Sequence, residues 1–77
     1  RQGANGVTKM SPEGRTQPPY IHDYLAAREA LGLPAPQELW DRRNGWVHYR
    51  DEHGAYTSFR KSQLMQMTAE LNRRAAK

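Results

Sequence analysis

Apolar positions change their spacing twice along this chain, and the changes divide it into a tail, a helix, a group of short strands and a second helix. In residues 1–19, Gly3, Gly6, Pro12, Gly14, Pro18 and Pro19 stand among few apolar partners, the composition of a flexible tail or linker. From Tyr20 to Leu31 the apolar residues Ile21, Tyr24, Leu25 and Leu31 fall on one side at helical spacing, which predicts a short helix. Asp23 is placed to complement its N-terminal dipole, and Gly32 and Pro34 to end it.

From Glu38 the pattern shortens to strand-like runs: Glu38 to Arg43, Trp46 to Arg50, and Ala55 to Arg60. Asn44-Gly45 separates the first two, a pair that tolerates the positive φ of a two-residue type I′ hairpin turn. Asp51 to Gly54 separates the second pair, with Gly54 suited to a left-handed position. Ser62 can cap a final helix in which Leu64, Met67, Thr68, Leu71 and Ala75 share a face. The predicted class is therefore α+β: a short N-terminal helix, a three-stranded antiparallel sheet, and a C-terminal amphipathic helix packed on one sheet face. Residues 20–77 form a single small domain in this reading.

Simple registers through the two turns put Trp40, Val47, Tyr49 and Tyr56 on one face, to be covered by Leu64, Met67 and Leu71. Arg43, Trp46, His48, Arg50, Thr57 and Phe59 then occupy the other. Aromatic rings interleaved with arginines on an open sheet can bind nucleic acid, with guanidinium groups on phosphates or guanine edges and rings on sugars or bases. The competing reading makes Trp46 and Phe59 a cross-strand pair packed under the Tyr20–Leu31 helix, with the arginines as a solvated rim.

Charge favours an anionic partner. The chain has 12 Lys and Arg against 8 Asp and Glu, a formal charge of +4, and an isoelectric point near 9.9. The excess lies in residues 38–77, which hold Arg42, Arg43, Arg50, Arg60, Lys61, Arg73, Arg74 and Lys77. Arg73, Arg74 and Lys77 have a simpler use, since cations in a last turn stabilise the helix dipole.

Size sets a ceiling: 77 residues with 36% hydrophobic side chains and a mean hydropathy of −1.04 support one modest core. With no cysteine there is neither a disulfide nor a thiolate metal site, and a cytoplasmic location is expected. No apolar run is long enough for a membrane span. Because the chain opens on Arg1, it is expected to be processed, tagged or cut from a longer protein.

The residues Leu33-Pro34, then Leu39-Trp40-Asp41-Arg42-Arg43-Asn44-Gly45-Trp46-Val47-His48-Tyr49-Arg50-Asp51 and Gly54, resemble the N-terminal arm-type DNA-binding domain of phage tyrosine integrases of the lambdoid kind. The likeness covers about residues 33–75. It implies a three-stranded sheet that enters the DNA major groove and a helix packed behind it, in a phage or mobile-element protein. Carried over by position, Arg43, Trp46, His48, Arg50 and Arg60 lie on or near the DNA side and Lys61 beside the backbone. The expected partner is DNA, with RNA less favoured; the integrase's recombinase activity is not implied for these residues.

The same residues admit other chemistries. His48 and His53 flank Asp51 and Glu52, but side chains around a hairpin turn diverge and structural zinc takes four well-placed ligands, so no metal or cofactor is expected. A small basic ribonuclease could use His48, Glu52, Arg50 and Tyr49 as acid–base and charge-stabilising groups, although nothing in their spacing requires it and no enzymatic activity is expected. A protein partner could instead dock on Trp46, Phe59 or the Tyr20–Leu31 helix.

Overall fold

The computed structural model describes residues 9–11 and 16–76. Five elements follow in order: α1 (Pro19–Ala30), β1 (Glu38–Asp41), β2 (Trp46–Arg50), β3 (Tyr56–Arg60) and α2 (Lys61–Ala75). The sheet is antiparallel with strand order β1-β2-β3, and both helices lie on one side of it. This is the α+β class that the sequence predicts.

Helix α1 begins at a proline pair. Pro18 is the N-cap with φ −64° and ψ 157°, and Pro19 opens the helix, where its missing N–H leaves no bond unmade. The first turn contains no acidic residue, so Asp23 falls one turn too late for the dipole role predicted for it. The C-terminus closes as a Schellman motif: Gly32 at φ +71° donates its N–H to the Glu29 carbonyl (3.0 Å), and Leu33 donates to that of Arg28 (3.0 Å).

Helix α2 leaves the sheet without a loop. Arg60 ends β3 and is also the N-cap, and its N–H donates to Gln63 Oε1 at 2.9 Å. Ser62 therefore lies inside the first turn instead of capping it. The early start follows from the ladder, because Lys61 N–H donates to the Gly45 carbonyl (3.0 Å) and carries the strand pairing to the first helical residue.

Both hairpin loops differ from the simplest reading by one residue of register. In the first, Arg42 N–H bonds the Trp46 carbonyl (2.9 Å), leaving Arg43, Asn44 and Gly45 at the tip. Arg43 (φ 71°) and Gly45 (φ 84°) take the left-handed conformation there, so the turn is not the predicted two-residue type I′. Asp41 Oδ1 accepts from Arg43 N–H (2.8 Å) and Asn44 Oδ1 from Trp46 N–H (3.2 Å). In the second, Asp51 N–H bonds the Ala55 carbonyl (3.0 Å) and Gly54 adopts φ 91°, the left-handed position anticipated for it.

These loops pair Leu39 with Tyr49, Trp40 with His48, Val47 with Phe59, Tyr49 with Thr57 and Arg50 with Tyr56. Directly opposed residues share a face, so the predicted faces are corrected in both outer strands. Leu39 replaces Trp40 in the core, and Thr57 and Phe59 replace Tyr56 on the helix side. Trp46 and Phe59 lie on opposite faces and form no cross-strand pair.

Ile21, Leu39, Val47 and Leu64 are fully enclosed, and Tyr20, Tyr24, Ala27, Tyr49 and Leu71 complete the buried cluster between sheet and helices. Burial of each large aliphatic side chain stabilises the fold by roughly 1.5–3 kcal/mol. Met67 and Phe59 pack at its margin, whereas Ala75 is exposed. Tyr24 and Tyr49 meet edge to face at 5.9 Å and their hydroxyls hydrogen-bond at 3.0 Å, with Arg28 Nη1 donating to Tyr24 at 3.1 Å. Burial, and next the Tyr24 hydroxyl, push the Tyr49 phenol well above its ordinary value.

Part of the segment read as a flexible tail is docked on β1. Lys9 N–H donates to the Gln37 carbonyl (3.1 Å), Leu39 N–H donates back to Lys9 (2.9 Å), and Gln17 Oε1 accepts from Asp41 N–H (2.7 Å). Ser11 and Gln17 are buried. For residues 1–8 and 12–15 the tail reading lies outside the described residues. No helix among the described residues is long and apolar enough to cross a membrane.

Candidate nucleic-acid interface

The sheet face opposite the helices carries three rows of side chains, each set by the strand register. Arg42, Trp46 and Arg60 form the row beside the first turn; Trp40, His48 and Ser58 the middle row; Glu38, Arg50 and Tyr56 the row beside the second turn. Of the residues that the sequence placed on this face, Trp46, His48 and Arg50 are there, Arg60 joins them, and Arg43 stands at the tip of the first turn. Thr57 and Phe59 are on the helix side, where Phe59 meets Tyr49 edge to face at 5.2 Å. Lys61 turns toward α1, its ammonium 5.3 Å from the centre of the Tyr20 ring.

Glu38, Trp40, Arg42, Tyr56 and Ser58 are the face residues that the sequence reading missed. The three-residue tip of the first loop places Trp40 opposite His48, and Asn44-Gly45 by itself does not signal that length. For β3 the spacing carried no such signal, since Tyr56 and Phe59 take opposite sides in either register and only the length of the second turn assigns them.

The first row is open and cationic. Trp46 is 38% exposed and Arg60 lies over its ring, the guanidinium carbon 4.7 Å from the centroid. Arg42 donates from Nη1 to the Tyr56 hydroxyl at 3.3 Å, and that hydroxyl is 2.6 Å from Ser58 Oγ. Arg42, Asn44, Trp46, Tyr56 and Ser58 line a shallow groove across this end. Among the described residues no carboxylate pairs with Arg42, Arg43 or Arg60.

The middle and last rows are closed upon themselves. Trp40 and His48 stack with centroids 3.8 Å apart and planes within 3°, and His48 meets Tyr56 at 4.8 Å. Glu38 Oε1 lies 2.8 Å from His48 Nε2 and 3.3 Å from Arg50 Nε. The bond to His48, and then the Arg50 guanidinium, hold the Glu38 carboxyl below its ordinary range. Asp51 is likewise held low, first by the Ala55 N–H and then by the other backbone donors of its turn.

The groups that ribonuclease chemistry would use, His48, Tyr49, Arg50 and Glu52, are not gathered into one site. Tyr49 points to the helix side and bonds Tyr24, and Glu52 pairs with Arg28 at 3.6 Å and with His53 at 3.7 Å, whereas His48 is on the opposite face with Glu38. Trp46, Phe59 and α1 do not form one docking surface either, since Phe59 and α1 belong to the helix side. Among the described residues no cluster of three His, Asp or Glu could hold a metal ion.

The chain matches no protein-family model, no curated protein and no solved structure.

Proposed function

We propose that the open sheet face binds nucleic acid, with duplex DNA as the ligand, in a protein of phage or mobile-element type. The observation that carries this reading is the arrangement of Arg42, Arg43 and Arg60 around exposed Trp46, with no carboxylate paired to any of them among the described residues. Unneutralised guanidinium groups beside a ring suit phosphate oxygens and base or sugar contacts together. Strands lie about 4.8 Å apart, so three span about 10 Å and approach the roughly 12 Å width of the B-DNA major groove. Both helices pack behind the sheet and leave this face to a ligand. The resemblance to phage integrase arm-binding domains points the same way, and its Asn44-Gly45 hairpin forms the tip of the cationic end.

An NMR titration of the chain with a short mixed-sequence DNA duplex, at low and at physiological salt, tests the reading. Amide shifts are expected to concentrate on residues 42–46 and 58–60 and to shrink as salt rises, because phosphate binding releases counterions. A duplex RNA of the same sequence is expected to bind more weakly, its major groove being too narrow for the sheet. Absence of shifts with DNA at both salts would sink the proposal.

A further inference from the structure

The basic side chains on the open face differ in what already engages them. Arg50 is occupied: Nε is 3.3 Å from Glu38 Oε1, Nη1 donates to the Gly54 carbonyl at 2.8 Å, and the guanidinium sits 5.9 Å from the Tyr56 ring centre. It ties β1, the second turn and β3 to β2. A phosphate brought to Arg50 would also meet the Glu38 carboxylate, and Asp51 and Glu52 follow in the same turn. At the opposite end, among the described residues, Arg43 is exposed with no side-chain partner, Arg42 has only a neutral hydroxyl, and Arg60 lies over Trp46 with its N–H edges uncommitted. Arg43 also holds the left-handed φ of 71° without being glycine or asparagine, a strained position of the kind found where a side chain is used.

We infer that the DNA backbone is taken only at the first-turn end of the face, by Arg42, Arg43 and Arg60, and that Arg50 is an internal brace withheld from the ligand. The inference rests on the nucleic-acid reading and narrows it to a polarised contact. Docking is then end-on: the turn tip and first row enter the groove, and the Glu38 row stays outside, where the Glu38 carboxylate sets the depth of insertion. Arg50, although the sequence places it with the DNA contacts, acts by holding the second hairpin in register with β1.

The salt dependence of duplex DNA binding distinguishes the two classes of arginine. In the full chain, Arg42→Ala, Arg43→Asn and Arg60→Gln should each reduce the slope of log affinity against log salt by about one, the effect of losing a phosphate contact. Arg43→Asn keeps a residue that tolerates positive φ, so its fold is retained. Arg50→Ala should lower Tm and leave that slope unchanged. Should Arg50→Ala fail to fold, the arginine side-chain Nε–H resonances of the unaltered chain decide: those of Arg42, Arg43 and Arg60 should move on adding DNA and that of Arg50 should stay. A slope reduced by about one in Arg50→Ala, an Arg50 resonance that moves with the others, or unchanged slopes in all three first-turn variants would overturn the inference while leaving DNA binding in place. No DNA binding by the unaltered chain would remove the nucleic-acid reading itself, and this inference with it.

Discussion

At the scale of single residues, two buried tyrosines show how the same group is treated in different surroundings. Tyr49 shares its hydroxyl with Tyr24, and Arg28 is close enough to donate to both, at 3.1 Å to Tyr24 and 3.5 Å to Tyr49. Tyr20 is 8% exposed, its hydroxyl makes no hydrogen bond of ordinary geometry among the described residues, and it lies against the Asp41 carboxylate. Burial first, and Asp41 second, push its pKa from 10.0 up to about 12. Because the folded state holds this phenol neutral, its contribution to stability is complete below pH 10.0 and is lost as pH rises toward about 12. Tyr20→Phe removes a hydroxyl that has no partner, so stability at neutral pH should be unchanged or higher by about 1 kcal/mol. The decline in alkali should also become shallower. Urea unfolding of both proteins at neutral pH and near pH 11 checks this. A loss of more than about 1 kcal/mol at neutral pH would show the hydroxyl to be bonded to Asp41 after all.

At the scale of elements, ends and turns decide which side chains reach the site. Gly32 at φ +71° completes the α1 Schellman motif, and a Cβ built there meets nothing within 4 Å. The cost of Gly32→Ala is therefore conformational alone, about 1–2 kcal/mol, which in a domain of this size lowers Tm by roughly 4–8 °C per kcal/mol. Thermal unfolding followed by circular dichroism measures it, and Gly32→Asn should lose less; equal losses would mean that a clash dominates. The same sensitivity to turns explains what the sequence could tell. The two helices, the three strands, the Gly32 stop and the Gly54 turn are written in local pattern, and so is β2, with Val47 and Tyr49 inward and Trp46, His48 and Arg50 outward. Register is not local. Asn44-Gly45 signals a turn without fixing its length, and one more residue at the tip exchanges the faces of the paired strand. Leu39 and Trp40 are adjacent apolar residues, either of which could enter the core, so β1 offered no correction. Trp40 and Tyr56 thus belong to the open face and Thr57 and Phe59 to the core side, and the cationic end was legible only through Trp46, Arg43 and Arg60.

At the scale of the whole molecule, the open face depends on a core it does not touch. A three-stranded sheet needs a packed face to persist, and here that packing converges on a few enclosed side chains between sheet and helices. Leu64, fully buried on α2, is one of them, and α2 packs against α1, β2 and β3 together. A core in a domain this small supplies about 3–5 kcal/mol of net stability, and Leu→Ala at such a site costs about 2–5 kcal/mol. Leu64→Ala should therefore be largely unfolded in dilute buffer, with weak amide protection throughout the sheet. Its response to ligand reports on function, because a ligand that binds only the folded state stabilises it by mass action. Duplex DNA at a hundred times its Kd adds about 2.7 kcal/mol, enough to restore a folded spectrum to a variant that has lost about that much. Refolding of Leu64→Ala on adding DNA at low salt, reversed at high salt, is the expected outcome by circular dichroism. If the variant stays unfolded at DNA concentrations that saturate the unaltered chain, while a stabilising osmolyte refolds it, DNA does not bind the folded sheet.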